Sequence, residues 1–189
     1  MNIGKLLKFT RFTHQFQQIQ RHIFVTGENR RENDLEHSGQ LALIAWYIVS
    51  SEKLKLNLDL VLKYCLVHDL VEIYAGDRNL FDETGRVGKD QREEMAALKM
   101  RKILPEFSQF IKYYRLRSDP ESKFVYALDK IITILNIYSD KGRSWKKGKI
   151  TLEMIIEAKK DKVSFDKTIE EIFWKLVSIL EKHRKPLGI

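Results

Sequence analysis

The sequence predicts an all-α fold in a single domain. Hydrophobic residues recur at helical rather than alternating spacing in almost every segment between breakers. Proline (3) and glycine (9) are both scarce, which disfavours a turn-rich all-β fold and disordered linkers. The 189 residues, 43% hydrophobic and 32% charged, suffice for one domain with a sizeable core.

A first helix is expected over about 3–19, followed by an irregular stretch, RHIFVTGENRRENDLE. A second runs from about Glu36 to Ser51 and carries Leu41, Ile44, Ala45, Ile48 and Val49 inward. Asn57 or Asp59 caps a third, through LVLKYCLVHDLVEIYA to Gly76. GDRNLFDETGRVGKD combines glycines and capping residues without periodicity and reads as a loop. A fourth helix covers about 89–103, and a short one follows Pro105. A long one starts near Asp119-Pro120, where proline suits the first helical turn. Near the C-terminus, Ile169, Ile172, Phe173, Leu176, Val177 and Leu180 follow i, i+3, i+4, i+7, i+8, i+11. That stripe predicts a helix over about 164–182, with Asp166 placed to help cap it and Pro186 and Gly188 past its end. No repeat, low-complexity tract or boundary divides the chain, so one domain over 1–189 is expected.

Composition narrows the setting. No apolar run approaches the ~20 residues of a membrane span. The start, MNIGKLLKFTRFTHQF, lacks the apolar stretch and small-residue cleavage site of a secretory signal. A single cysteine, Cys65, permits no intramolecular disulfide, so a reducing, cytoplasmic location is expected. It lies in the apolar run LVLKYCLV and reads as a small buried thiol. The net charge of +8 permits an anionic partner. Its basic residues are dispersed, and the densest cluster, KGRSWKKGK at 141–149, reads as an exposed loop. A solvated surface is the simpler reading there, and nucleic-acid binding the lesser one. A positive field would also attract small phosphorylated substrates.

Chemistry concentrates at two histidines. His14, His22 and His183 stand among polar or basic neighbours, whereas Glu36-His37 and His68-Asp69 put carboxylates beside imidazoles, with Glu72 one turn beyond the second pair. Adjacent helical residues project about 100° apart, yet a longer imidazole can lean toward a shorter carboxylate so that both reach one ion. Tyr64, Cys65, Leu66, Val67, Leu70, Val71 and Ile73 surround His68-Asp69 with apolar groups. A charged Asp there is costly unless it is paired or coordinates a metal. Glu72 follows Asp69 by three and His68 by four, so it shares their face. Asp129 is likewise stranded in an apolar helix, KFVYALDKIITIL. Adjacent helical residues do not face one another, so Lys130 reads as a poor partner for it and a metal as the better one. Two imidazoles and two carboxylates suit Mn, Co, Fe, Ni or Zn better than Ca.

The pattern His37, His68-Asp69 and Asp129 resembles the HD-domain superfamily of metal-dependent phosphohydrolases. RRENDLEHSGQLALIA at 30–45 is similar to the R-x-E-N-x-x-E-H-S segment of the HD-domain 5'-deoxynucleotidases, and VHDLVEIYAGD at 67–77 to their HD-x-x-E-x-x-x-GD. KDQREEMAAL at 89–98 and ESKFVYALDKI at 121–131 also match, and the resemblance runs from about Arg21 to Tyr138. It implies a helical HD-domain fold, usually dimeric, that removes phosphate from deoxyribonucleoside 5'-monophosphates with a transition metal. The ligands it implies are His37, His68, Asp69 and Asp129. Glu72 and Asp77 match the acidic residues that assist catalysis: Glu72 to orient the water or protonate the leaving 5'-oxygen, Asp77 to hold a sugar hydroxyl or help transfer a proton. Arg21 matches the substrate-binding arginine ahead of the first His, with Arg30 a second candidate for phosphate contact.

His22 stands where these enzymes tend to carry a Trp near the sugar, so ribose as well as deoxyribose is an open substrate class. The loop at 76–88 lacks the proline-rich turn often found after GD. Two other readings stay open: another HD activity, such as cyclic or alarmone phosphodiester hydrolysis, and a helical nucleotide- or nucleic-acid-binding protein that keeps the metal for structure.

Overall fold

A computed structural model describes residues 2–76 and 89–189. Helix α1 (Ile3–Gln18) is capped by the Asn2 side chain, which accepts from the Gly4 and Lys5 amides. The stretch expected to be irregular instead forms an antiparallel pair, β1 (Gln20–Phe24) and β2 (Arg31–Asn33), with Gly27 at positive φ between them. Helix α2 (Asp34–Ser51) begins two residues before the sequence suggests. Asn33 accepts from the Glu36 amide while the Glu36 carboxylate accepts from the Asn33 amide, and this reciprocal pair fixes the first turn.

Asn57, rather than Asp59, caps α3 (Leu58–Val67). The third helix does not run through to Gly76. It breaks at His68, and 68–71 turn through short i→i−3 bonds, among them the Glu72 amide to the Asp69 carbonyl at 2.8 Å. A one-turn helix, α4 (Glu72–Ala75), then ends at Gly76, whose φ of 73° suits glycine. The tightened turn rotates Asp69 and Glu72 away from where one continuous helix would hold them. Helices α5 (Lys89–Ile103), α6 (Pro105–Leu116) and α7 (Pro120–Ser139) follow as expected, α7 opening on an Asp119–Ser122 capping box.

The basic segment after α7 is not simply an exposed loop. It contains a short helix, α8 (Arg143–Gly148), whose Trp145 is buried. Arg143 donates to the Val25 and Glu28 carbonyls at 3.0 and 2.6 Å, so part of that charge braces the β1–β2 turn. Helix α9 (Leu152–Val163) precedes α10 (Lys167–Lys182), which Asp166 caps at the Ile169 amide as the sequence implies, and α11 (Arg184–Leu187) closes the fold.

Helix α7 is central. Phe124, Val125, Ala127, Leu128, Ile131, Ile132 and Ile134 are buried around its circumference, and α2, α3, α6, α9 and α10 pack on it. Fully burying one such aliphatic side chain contributes about 1.5–3 kcal/mol. A second apolar cluster joins Phe12 and Phe16 of α1 to Val67, Leu70, Val71, Ala96, Met100 and Ile111. Tyr64 and Cys65 belong to the first cluster and Val67 to the second, so His68 and Asp69 stand where the two cores meet.

Candidate metal centre

Three helices and one turn deliver the predicted ligands to one place. His37 leaves the first turns of α2, His68 terminates α3, Asp69 follows in the turn, and Asp129 projects from the middle of α7. His37, His68 and Asp129 are all buried. His37 Nε2 lies 3.0 Å from Asp129 Oδ1, and His68 Nε2 lies 3.9 Å from the same oxygen and 3.0 Å from Asp69 Oδ2. One donor atom from each of His37, His68 and Asp129 falls within 4.8 Å of the others. Donors ~2.1 Å from one ion and at right angles to one another stand about 3 Å apart, so the spacing fits a transition metal.

The tautomer of His68 is the stronger test of fit. Its Nδ1 is 2.9 Å from the Cys65 carbonyl, which can only accept, so Nδ1 carries the proton. In the neutral ring the lone pair is then at Nε2, which is buried and points toward a carboxylate oxygen 3.0 Å away. Two electron-rich atoms at that separation call for a positive charge between them, either a proton on Nε2 or a metal ion. A backbone carbonyl holding the far ring nitrogen is also how proteins orient metal-binding imidazoles. The residues present therefore fit a divalent metal.

The field around the cluster is strongly coupled. For His37, burial and Arg21 act against protonation, but hydrogen bonding to Asp129 and Glu32 outweighs them and raises its pKa to about 9. Burial acts against ionisation of Asp69, yet His68 and Arg21 hold it below the usual carboxylate range. Asp129 is held well below that range, with Lys130 and His37 outweighing burial. Lys130 does pair with Asp129, contrary to the sequence-based expectation. Its ammonium stands over the Tyr126 ring, 4.8 Å from the centroid, and the length of the side chain lets an adjacent residue reach back. The carboxylate thus faces His37 with Oδ1 and Lys130 with Oδ2.

Arg21, expected to bind substrate, joins the cluster. Its Nη1 donates to Asp69 Oδ2 at 2.8 Å and Asp34 Oδ1 at 3.1 Å, and its Nε lies 3.5 Å from Glu32. Arg30 pairs instead with Glu28 and Glu36 at the surface. Glu72 brings a carboxylate oxygen to within 4.8 Å of oxygens of Asp34 and Asp69, beside the imidazoles rather than among them. Asp77 lies outside the described residues. His22 is exposed on β1, while Arg21 and Ile23 on either side turn inward.

Two carboxylates that the sequence does not single out as site residues flank the cluster. Glu32 is buried, with Oε2 3.6 Å from His37 Nδ1 and Oε1 accepting from Asn136 Nδ2 at 3.1 Å. Asn136 and Gln40 exchange amide hydrogen bonds at 2.7 and 2.9 Å, which fixes that wall. Asp34 is fully buried against Arg21. Glu32 is the first Glu of the R-x-E-N-x-x-E-H-S segment, but neither residue lies in a periodic stretch that would signal burial.

This helical fold and its His/Asp cluster define an HD-domain protein, and the HD-domain family pattern matches residues 13–172. The chain belongs to that family of metal-dependent phosphohydrolases. Among its relatives, 5'-deoxynucleotidase HDDC2 of Homo sapiens is 29% identical over 151 residues, covering 77% of this chain and 72% of the relative. The Bos taurus protein of that name is 30% identical, with the same coverage. Among solved structures, a "predicted metal-dependent phosphohydrolase" from Magnetospirillum magnetotacticum MS-1 superposes with a TM-score of 0.82 at 26% identity, covering 96% of this chain and 93% of that one. The PH0347 protein of Pyrococcus horikoshii OT3 shares the fold, with a TM-score of 0.68 at 22% identity, covering 96% and 99%. Among the described residues, no helix is long and apolar enough to cross a membrane.

Proposed function

We propose that the chain, one HD domain over 1–189, is a phosphomonoesterase that releases phosphate from ribo- or deoxyribonucleoside 5'-monophosphates. The observation that carries this reading is the His68 Nε2 lone pair set against Asp69 beside His37 and Asp129, joined to relatives named 5'-deoxynucleotidase. His37, His68, Asp69 and Asp129 would hold one divalent ion, of Mn, Co, Fe, Ni or Zn. Such an ion polarises a phosphoryl oxygen and lowers the pKa of a water.

The chain's own groups do the rest. Arg21, held against Asp69, orients the phosphoryl group by charge-assisted hydrogen bonding. Glu72, one carboxylate beyond Asp69, orients the attacking water or delivers the proton that the leaving 5'-oxygen needs. Asp77 holds the sugar or assists that transfer, and Arg30 is assigned only a peripheral phosphate contact. The reading includes a cytoplasmic homodimer, for which the exposed Leu43, Trp46 and Tyr47 of α2 offer an apolar surface.

A panel of nucleoside monophosphates, screened for phosphate release with each metal in turn, tests the reading. At least one ribo- or deoxyribonucleotide should be hydrolysed with Mn or Co. Hydrolysis of cyclic or diphosphate esters alone, or nucleic-acid binding without phosphate release, would replace it.

A further inference from the structure

Helix α9 has one residue out of keeping with its pattern. Its core-facing stripe reads Leu152, Ile155, Lys159, Val163, at spacings of three, four and four, and the three apolar members are buried. Lys159 thus occupies a position where the helical period calls for a hydrophobic side chain, and it is half-buried. Helix α9 packs along α7, which carries Asp129 and Lys130. The charges that act on Lys159 are Lys130, Asp129 and Arg21 of the cluster and Lys162 of its own helix, three of them positive. Among the described residues, no carboxylate forms an ion pair with it.

A lysine placed inward beside other cations is unfavourable unless an anion completes it. Asp129 does not serve, because its oxygens already face His37 and Lys130. We propose that Lys159 is a substrate-binding residue whose ammonium, delivered from α9 to the Asp129 side of the cluster, grips a non-bridging oxygen of a phosphate monoester. This rests on the phosphomonoesterase reading and adds a residue to it. A phosphate dianion suits the place, since its non-bridging oxygens can take a charge-assisted hydrogen bond from the Lys159 ammonium. Burial, and then Lys130, push the Lys159 ammonium down to about 7, so an arriving anion would also restore its charge.

The test uses full-length protein loaded with Mn and compares Lys159→Met and Lys159→Arg with wild type. Three quantities are read: KM for the best nucleotide, the melting shift produced by inorganic phosphate, and metal content. Loss of a charge-assisted contact should raise KM roughly 10- to 100-fold in Lys159→Met, with a smaller change in kcat. The phosphate-induced melting shift should vanish in Lys159→Met and largely return in Lys159→Arg, at unchanged metal content. Without phosphate, Lys159→Met should melt at or above the wild-type temperature, because an unfavourable buried cation is gone. Unchanged KM and an unchanged phosphate shift would overturn the proposal while leaving the phosphomonoesterase reading intact. A lower melting temperature with loss of metal would also overturn it, making Lys159 a brace for Asp129. A Lys159-dependent phosphate shift in a protein that hydrolyses no nucleotide would uphold this site and sink the activity.

Discussion

Replacing Glu32 asks how far the groups behind the imidazoles set the affinity for metal. The Glu32 carboxylate faces His37 Nδ1 at 3.6 Å and Arg21 Nε at 3.5 Å, and accepts from Asn136 at 3.1 Å. An anion behind a metal-binding imidazole fixes which nitrogen carries the proton and makes the other a better donor; removing such a partner typically costs 10- to 100-fold in metal affinity. Glu32→Gln keeps the shape and one carbonyl oxygen but discards the charge, so metal binding should weaken roughly 10-fold, at the low end of that range. Glu32→Ala also strips a buried charge cluster of one member, and about 3 kcal/mol of stability should go with it. Calorimetric titration with Mn or Co, beside thermal melts of the metal-free proteins, separates the two effects. Wild-type metal affinity in both variants would refute the assignment of Glu32 as the group that positions His37.

Three further outcomes are expected. Asp69→Ala should abolish phosphate release from every nucleotide hydrolysed by the wild type, and retained turnover would sink the metal mechanism. Glu72→Ala should keep its metal, by elemental analysis, and lose rate; loss of metal would make Glu72 a ligand instead. In metal-free protein, Lys159 has a folded pKa of about 7 against an ordinary value of 10.5, lowered by burial and then by Lys130. The unfolded chain therefore binds more protons between those limits, and the penalty is complete below pH 7 and fades as pH rises. Wild-type stability should thus gain more than that of Lys159→Met as pH is raised from 7 to 10, and parallel melting profiles would contradict the placement of Lys159.

What the sequence showed and what it hid differ by the range of the forces involved. The stripe from Ile169 to Leu180 is a local period, and the structure places Ile169, Phe173, Leu176 and Leu180 in the core as that period requires. Asn57 and Asp166 act as caps because capping depends on residues a few positions away. The β1–β2 pair went unread because its strands are short and are held partly from outside, by Arg143 reaching the Val25 and Glu28 carbonyls. The break at His68 was equally silent, since LVHDLVEIYA has helical composition throughout. His68, Asp69 and Asp129 stood out because polar groups in apolar helices are an anomaly visible in one dimension. Glu32, Asp34 and Lys159 owe their burial to packing between distant elements. Of these, Lys159 shows as a lysine on an apolar stripe and Glu32 as the first Glu of the R-x-E-N-x-x-E-H-S segment.

The central claim is that His37, His68, Asp69 and Asp129 hold one divalent ion. Anomalous diffraction at the cobalt edge, from crystals of cobalt-loaded protein, tests it most directly. One strong peak should lie within bonding distance of Nε2 of His37 and His68 and of a carboxylate oxygen of each of Asp69 and Asp129. A peak held by Asp34, Asp69 and Glu72 without the imidazoles, or the absence of any peak at this cluster, would contradict it.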